Sequence, residues 1–416
     1  MLIRPSMLGA PTFASPLRLS VSERGVPFVQ PDASVRLSVS DDDRESASFE
    51  RAGPRERLFF KSDEVRAGIV TCGGLCPGLN HVVRAIVFAL VHSYGCSAIK
   101  GYRYGYEGLT ASGVAPIELG TEIVRDIHRI GGSYLGASRG AQPLSEMVDS
   151  LVRDGISMLF TIGGDGTLRG AHAIATEIAA RSLPIAIVGV PKTIDNDVAF
   201  VDRTFGFETA VEQARTVLQA AHAEARSARN GVCIVQLMGR DAGFITASAT
   251  LASGEVNVCL VPEVPFTPTA LAKYLEQRLA ARGHAVIVVA EGCAAQLGDT
   301  SGDSRGAKRD VAAALAARIA AHFRTIDRPI AIKVIDPSYT LRSVPATADD
   351  AIYCDQLGRY AVHAAMSGRT DLVVGRVHRE LVHVPLEKVA GAARRIEPNG
   401  ELWRLVLEAT GQPRLV

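Results

Sequence analysis

The sequence predicts an α/β protein of two three-layer lobes, each a mostly parallel sheet covered by helices on both faces. Three observations carry this. Uninterrupted apolar runs of strand length recur along the chain, they alternate with segments of helical period, and nearly every run ends in glycine or polar residues. A strand that is apolar along its whole length is buried on both faces, as strands of a parallel sheet are. The runs outnumber the strands that one doubly wound sheet usually holds, so two sheets are expected.

Residues 1–60 differ from the rest. "SVSDDDRESASFERAGPRERL" is polar and charged with little apolar period, so this segment is expected to be an extension, partly disordered or draped over the surface. Short pieces such as "VPFVQ" (26–30) or "ASVRLSV" can add an edge strand. From Arg66 the alternation begins. "RAGIVTC" reads as a strand ending in a glycine loop, followed by the helical "HVVRAIVFALVHSY". "SMLFTIGG" leads into "DGTLRGAHAIATEIAA". "PIAIVGV" leads into the polar "PKTIDND" and then the helix "ETAVEQARTVLQAAHAEA". "GVCIVQLMG", "VNVCLVPE", "HAVIVVAEG" and "IAIKVIDP" repeat the arrangement, and "ELWRLVLEAT" is a packing helix around Trp403.

Bulk properties narrow the function classes. A length of 416 residues points to two or three domains. Hydrophobic residues at 47% and charged residues at 21% describe an ordinary globular chain. Its 45 Lys and Arg against 44 Asp and Glu leave a net charge of +1. That balance gives no electrostatic case for nucleic acid or an acidic membrane surface, so any phosphate chemistry must use local charge. The seven cysteines lie scattered in apolar runs and read as reduced, buried thiols of a cytoplasmic protein. Cys72 and Cys76 have no second nearby Cys or His pair to complete a zinc site. The first residues lack a signal-type apolar core, and no run of 18 apolar residues occurs, so no membrane span is expected.

In open α/β sheets, ligands bind beyond the carboxyl ends of strands. The ends here are "CGGLCPG", "GGDGT", "PKTIDND", "MGRDAG", "AEG" and "DPSYTLR", and they are expected to converge on one site. Gly73 and Gly74, with Pro77 and Gly78, would let backbone N–H groups approach phosphate oxygens at a helix N-terminus. The same residues also suit a plain tight turn, and the loop is neither GxGxxG nor a P-loop. In "GGDGT", Gly164 and Gly166 remove side chains on both sides of Asp165, so a polyphosphate can come close, with Thr167 beside it. One carboxylate next to phosphates suits Mg2+. NAD kinases and diacylglycerol kinases carry something similar.

"PKTIDND" crowds Lys192, Thr193, Asp195, Asn196 and Asp197 into six positions. Loops hold Asn and Asp for turn reasons as well. Asp195 can act as general base toward a hydroxyl while a phosphoryl group arrives. Lys192 and Arg139 can neutralise the charge that grows on that group; taken alone, Arg139 reads as a surface arginine in a glycine segment. Arg240 and Glu291 stand at strand ends, where an arginine suits a phosphate and a glutamate suits sugar hydroxyls. Each alone would also serve as a salt-bridge residue. His128, His222 and His363 lack metal-type partners in the sequence and read as core or surface groups.

Taken together and in order, "GGLCPGLN", "GGDGT", "PKTIDND", "MGRDAGF", "PEVPF", "AEG" and "YTLR" resemble the 6-phosphofructokinases. The likeness runs from about Arg66 to about His383. It is greatest to the atypical ATP-using branch within the pyrophosphate-dependent group. It implies two Rossmann-like lobes with the active site in the cleft between them. Residues 61–206 plus 350–395 would bind nucleotide, and 207–349 plus 396–416 would bind sugar phosphate.

The resemblance also implies roles. Asp195 would activate the 1-hydroxyl of fructose 6-phosphate. Asp165, with Asp197, would hold Mg2+. Gly74, Arg139, Gly140, Gly164, Asp165, Gly166 and Thr167 would contact ATP. Thr193, Ile194, Met238, Gly239, Arg240, Glu291, Tyr339, Thr340, Leu341 and Arg342 would hold the sugar phosphate. Some 6-phosphate contacts come from a neighbouring subunit in that family, which implies a homo-oligomer, dimer or tetramer. Leu75, Gly231 and Ala351 depart from the short bacterial enzymes and match the atypical branch. Pyrophosphate users carry an acid at the position of Gly166 and a lysine at that of Lys192. Here the lysine is present and the acid absent, which favours ATP as donor.

The nearest alternative is the same reaction driven by pyrophosphate. A catalytically silent sugar-phosphate-binding subunit should have lost the base, and Asp195 is present. A kinase sharing only "GGDGT" does not account for "PKTIDND" and "MGR". A dinucleotide oxidoreductase lacks its fingerprint.

Overall fold

The computed structural model describes residues 1–17, 28–37, 47–297 and 310–416. The chain forms two compact units. The first holds Met1–Thr193, Val198–Gly206 and Ser343–Ala393; the second holds Ile194–Asp197, Phe207–Arg342 and Arg394–Val416.

Among the described residues the first unit is built on a ten-stranded sheet. Its centre runs Leu372–Val377, Ala186–Pro191, Met158–Gly163, Arg66–Thr71, Ala98–Tyr102, all parallel. Met158–Gly163 and Ala186–Pro191 are buried at every position, which explains why they read as unbroken apolar runs. The chain leaves Arg66–Thr71 for Ala98–Tyr102 on one side and reaches Met158–Gly163 on the other. Strand order therefore reverses between Arg66–Thr71 and Met158–Gly163, the place where such sheets bind ligands. The loops that follow these two strands are the glycine loop and "GGDGT". Register pairs Thr71 with Ile162 and Gly163 with Pro191, so the carboxyl ends are level.

Three segments among the described residues of 1–60 are strands of this sheet, so the extension expected here is in part built into the fold rather than only draped over it. Ser48–Arg51 pairs antiparallel with Glu380–Pro385, and Leu2–Ile3 and Ser34–Arg36 pair with Ser48–Arg51. Ser34–Arg36 falls within "ASVRLSV"; the other proposed edge piece, "VPFVQ", lies partly outside the described residues. The expectation of disorder falls largely on 18–27 and 38–46, also outside them.

Among its described residues the second unit holds a four-stranded parallel sheet in the order Val258–Leu260, His284–Ala290, Gly231–Leu237, Ala331–Ile335. Gly231–Leu237 is buried throughout, whereas Ala331–Ile335 forms an edge with Lys333 and Val334 exposed. Helices Pro268–Arg282 and Val311–Thr325 supply Leu271, Leu275, Leu279, Leu315 and Ile319 to its core. Helix Glu401–Thr410 buries Trp403.

The sequence placed the crossings at 206/207, 349/350 and 395/396. The structure groups residues 343–349 with the first unit, where an added Cβ on Gly131 would overlap the Ser343 carbonyl. It groups Ile194–Asp197 with the second, where Arg394 binds the carbonyl oxygens of Asn196 and Asp197.

Candidate active site

The predicted site residues fall into two sets, one in each unit. In the first unit they surround the reversal of strand order. Lys192 follows its strand with only 5% of its surface exposed. Its backbone N–H donates to the Gly163 carbonyl at 2.9 Å, and its Nζ donates to the Gly74 carbonyl at 2.5 Å. The ammonium is therefore fixed between the glycine loop and "GGDGT". Gly73 adopts φ +83, and a Cβ there would lie 3.3 Å from Lys192 Nζ. Cys72 lies close to this ammonium. Burial pushes its thiol up to about 12, against the Lys192 charge, so the thiol stays neutral.

The Arg139 loop is tied to the same place. Gly73 N–H donates to the Ser138 carbonyl at 3.0 Å, and Ser138 Oγ donates to the Tyr104 carbonyl. Arg139 and Gly140 are exposed. A guanidinium there can swing toward an arriving phosphate.

Gly164 caps the helix Asp165–Ala180, which places Asp165 in its first turn, where the helix dipole favours an acid. Thr167 is buried, its carbonyl taken by the Tyr106 hydroxyl at 2.7 Å. Asp165 Oδ1 accepts the Gly391 N–H at 2.8 Å, and Oδ2 pairs with Arg169 one turn on at 2.8 Å. Its side chain is 49% exposed. A half-exposed carboxylate flanked by glycines fits a hard divalent cation that keeps water and phosphate ligands. It does not make a protein cage, and among the described residues no three His, Cys, Asp or Glu side chains are placed to share a metal. A Cβ added to Gly166 meets no atom within 4 Å. Packing does not require glycine there.

In the second unit the candidates collect at the carboxyl edge of the sheet. Register pairs Leu237 with Ala290, so Met238–Gly239–Arg240 and Glu291 leave adjacent strands side by side. Gly239 adopts φ +128 with its carbonyl bound by Gly292 N–H at 3.1 Å; a Cβ on it would meet the Ala242 carbonyl at 2.5 Å. Only glycine fits. Arg240 is 73% exposed. After Ala331–Ile335, Asp336 accepts from Ser338 N–H and Oγ and starts the helix Ser338–Arg342. This presents Tyr339, 63% exposed, and lays the Arg342 guanidinium 4.9 Å over its ring. Thr340 donates to the Pro337 carbonyl. Leu341 is wholly buried, so its side chain belongs to the core. Thr193 lies at the end of the first unit's segment, its carbonyl bound by Thr204 Oγ1 at 2.7 Å. Ile194, Asp195, Asn196 and Asp197 group with the second unit. Ile194 is buried and Asn196 is left-handed at φ +56.

His128, His222 and His363 keep structural surroundings. His222 pairs with Glu255 at 2.9 Å and His363 bonds the Tyr94 hydroxyl at 2.7 Å. Sequence reasoning missed Gly391, Arg169 and Arg394, which bind site residues from outside the motifs, and gave no role to Glu263 inside "PEVPF", which holds the Gly243 N–H. For Arg169 a signal existed, the i, i+4 spacing from Asp165. For the others only the fold reveals the contact.

The family described as Phosphofructokinase matches residues 66–365. An ATP-dependent 6-phosphofructokinase of Borreliella burgdorferi is 43% identical over 412 residues, covering 94% of this chain and 92% of that protein. One from Amycolatopsis methanolica is 45% identical over 384 residues, covering 89% and 83%. Among solved structures, a pyrophosphate-dependent phosphofructokinase of Marinobacter aquaeolei is similar with a TM-score of 0.70. It is 20% identical, with 83% of this chain and 91% of that one covered. At that identity the likeness speaks for the fold alone.

Proposed function

The chain belongs to the phosphofructokinase family, and from that premise we propose how its residues work. It is an ATP-dependent 6-phosphofructokinase. It moves the γ-phosphoryl group of ATP to the 1-hydroxyl of fructose 6-phosphate, giving fructose 1,6-bisphosphate and ADP, a committed step of glycolysis. The observation that carries this is the identity of 43–45% across most of the chain to enzymes so named. The open space at Gly166 supports the same donor. A carboxylate there would crowd and repel the nucleotide α-phosphate.

Asp195 accepts the proton of the 1-hydroxyl, raising its nucleophilicity as the phosphoryl group departs from ADP. Lys192, held at Gly74, and the exposed Arg139 balance the charge that grows on that group. The glycine loops and the N-terminus of helix Asp165–Ala180 receive phosphate oxygens. Arg240 and Arg342 hold the sugar phosphate, and Glu291 takes sugar hydroxyls. The reaction needs a divalent metal, which we take to be Mg2+. Asp165 would hold it, with Asp197 as the second carboxylate, and when bound it neutralises phosphate charge. A homo-oligomer, dimer or tetramer, is the assembly that the resemblance favours. The seven buried thiols support a cytoplasmic setting, and no described helix is long and apolar enough to cross a membrane.

Asp195→Asn tests the base directly. Turnover should fall at least ~10²-fold while fructose 6-phosphate still binds. Turnover near wild type would remove Asp195 from that role.

A further inference from the structure

Arg394 lies beyond the matched region 66–365 and outside every sequence motif. Its backbone N–H donates to the Asp197 carbonyl at 2.8 Å. Its guanidinium Nη2 donates to the Asn196 carbonyl at 3.1 Å, and the guanidinium carbon lies 4.8 Å from the centre of the Phe244 ring. Two residues on, Ile396 N–H donates to Glu263 Oε1 at 2.9 Å. The same carboxylate accepts Gly243 N–H through both oxygens, at 3.0 and 3.2 Å. Gly243 caps the helix Phe244–Ser253, which follows Met238–Gly239–Arg240 directly. One set of contacts thus joins the turn that carries Asp195 to the start of the helix Phe244–Ser253.

Asn196 needs such support. It holds φ +56, a left-handed conformation that asparagine tolerates better than other non-glycine residues but that still costs free energy its surroundings must offset. We propose that Arg394 is a positioning residue. It clamps the Asn196 carbonyl and so fixes the turn that aims the Asp195 carboxylate, while Phe244 and Glu263 fix Arg394 and its neighbours. Arginine suits this work because its planar fork donates in plane while its face stacks on a ring. Lysine has no such plane. The inference rests on Asp195 being the base. A base must lie within hydrogen-bond reach of its proton, and a shift of about 1 Å can cost on the order of 10²-fold in rate.

The test compares wild type, Arg394→Ala and Arg394→Lys by kcat, by KM for each substrate and by thermal melting. For Arg394→Ala, kcat should fall roughly 10- to 100-fold with both KM values within about threefold of wild type. Guanidinium ion at sub-denaturing concentration should restore part of that kcat and leave wild type unchanged. Arg394→Lys should fall between the two. A kcat within about threefold of wild type in the alanine variant overturns the proposal, as does a loss carried by KM. If the alanine variant does not melt cooperatively, Arg394→Lys decides, and its full kcat overturns the proposal. Asp195→Asn separates the two readings. An active Asp195→Asn removes the base itself; an inactive one beside a fully active Arg394→Ala removes only the clamp.

Discussion

Glu50→Gln should destabilise the first unit severely, although residue 50 lies far from every predicted site residue in sequence. Glu50 is 2% exposed and stands on the strand Ser48–Arg51. Its carboxylate accepts from Arg369 Nε and Nη2 at 2.7 and 2.5 Å and from His383 Nδ1 at 2.8 Å. Arg55 Nη2 lies 3.4 Å away, itself buried. Burial alone would raise the Glu50 pKa, but the hydrogen bonds from Arg369 and His383 outweigh it and hold the group well below the usual carboxylate range. Removing the charge leaves two buried guanidiniums without their counterion. Breaking a buried pair in this way costs about 3–5 kcal/mol. At roughly 2–4 °C per kcal/mol for a domain of this size, the unit should melt about 6–20 °C lower. Glu380→Gln is the control: its pair with Arg51 at 2.9 Å is about half exposed on both sides, and its loss should cost under ~1 kcal/mol. Scanning calorimetry of both variants reads the difference. A Glu50→Gln melt within about 2 °C of wild type would refute the reasoning. By the same logic, removing residues 1–55 should abolish cooperative unfolding of this unit, because the strand and the counterion leave together.

Two further outcomes are expected. Burial pushes the His383 imidazole down from 6.5 to about 4. The unfolded chain therefore binds the extra proton first, and stability should be full above pH 6.5 and lost as pH falls toward 4, by about 3 kcal/mol from this group. His383→Asn should flatten that part of a melting-temperature profile; an unchanged slope would assign the proton to another group. Arg342→Ala should weaken fructose 6-phosphate by roughly 1.5–3 kcal/mol in KM and leave ATP nearly untouched. A change confined to ATP would misplace the sugar-phosphate pocket.

The strands that carry the site were legible because they are apolar along their length and end in motifs. "GVCIVQL" is buried at every position and ends at Leu237, just before the "MGRDAG" that the sequence set at its end. Helix Glu401–Thr410 matches "ELWRLVLEAT". Of the N-terminal strands only Ser34–Arg36, inside "ASVRLSV", was anticipated, and Ser48–Arg51 was not legible. "SFER" pairs with Val382 and His383 from more than 300 residues away, and its glutamate is buried only because Arg369 and His383 arrive there. His383 inside "ELVHVP" hints that a polar group is buried, but not by what it is satisfied. The site was legible as a list of loops, since each motif is local. Its supports were not: Gly391 at Asp165 and Arg394 at Asn196 both act from a segment with no motif of its own.

This chain phosphorylates fructose 6-phosphate from ATP. The direct measurement is the initial rate of fructose 1,6-bisphosphate formation by purified wild-type protein. Fructose 6-phosphate is supplied with either ATP or pyrophosphate at equal free magnesium. Rapid turnover with ATP and little or none with pyrophosphate is the result expected from the open space at Gly166. Preference for pyrophosphate would contradict the donor assignment, and no product with either donor would contradict the activity itself.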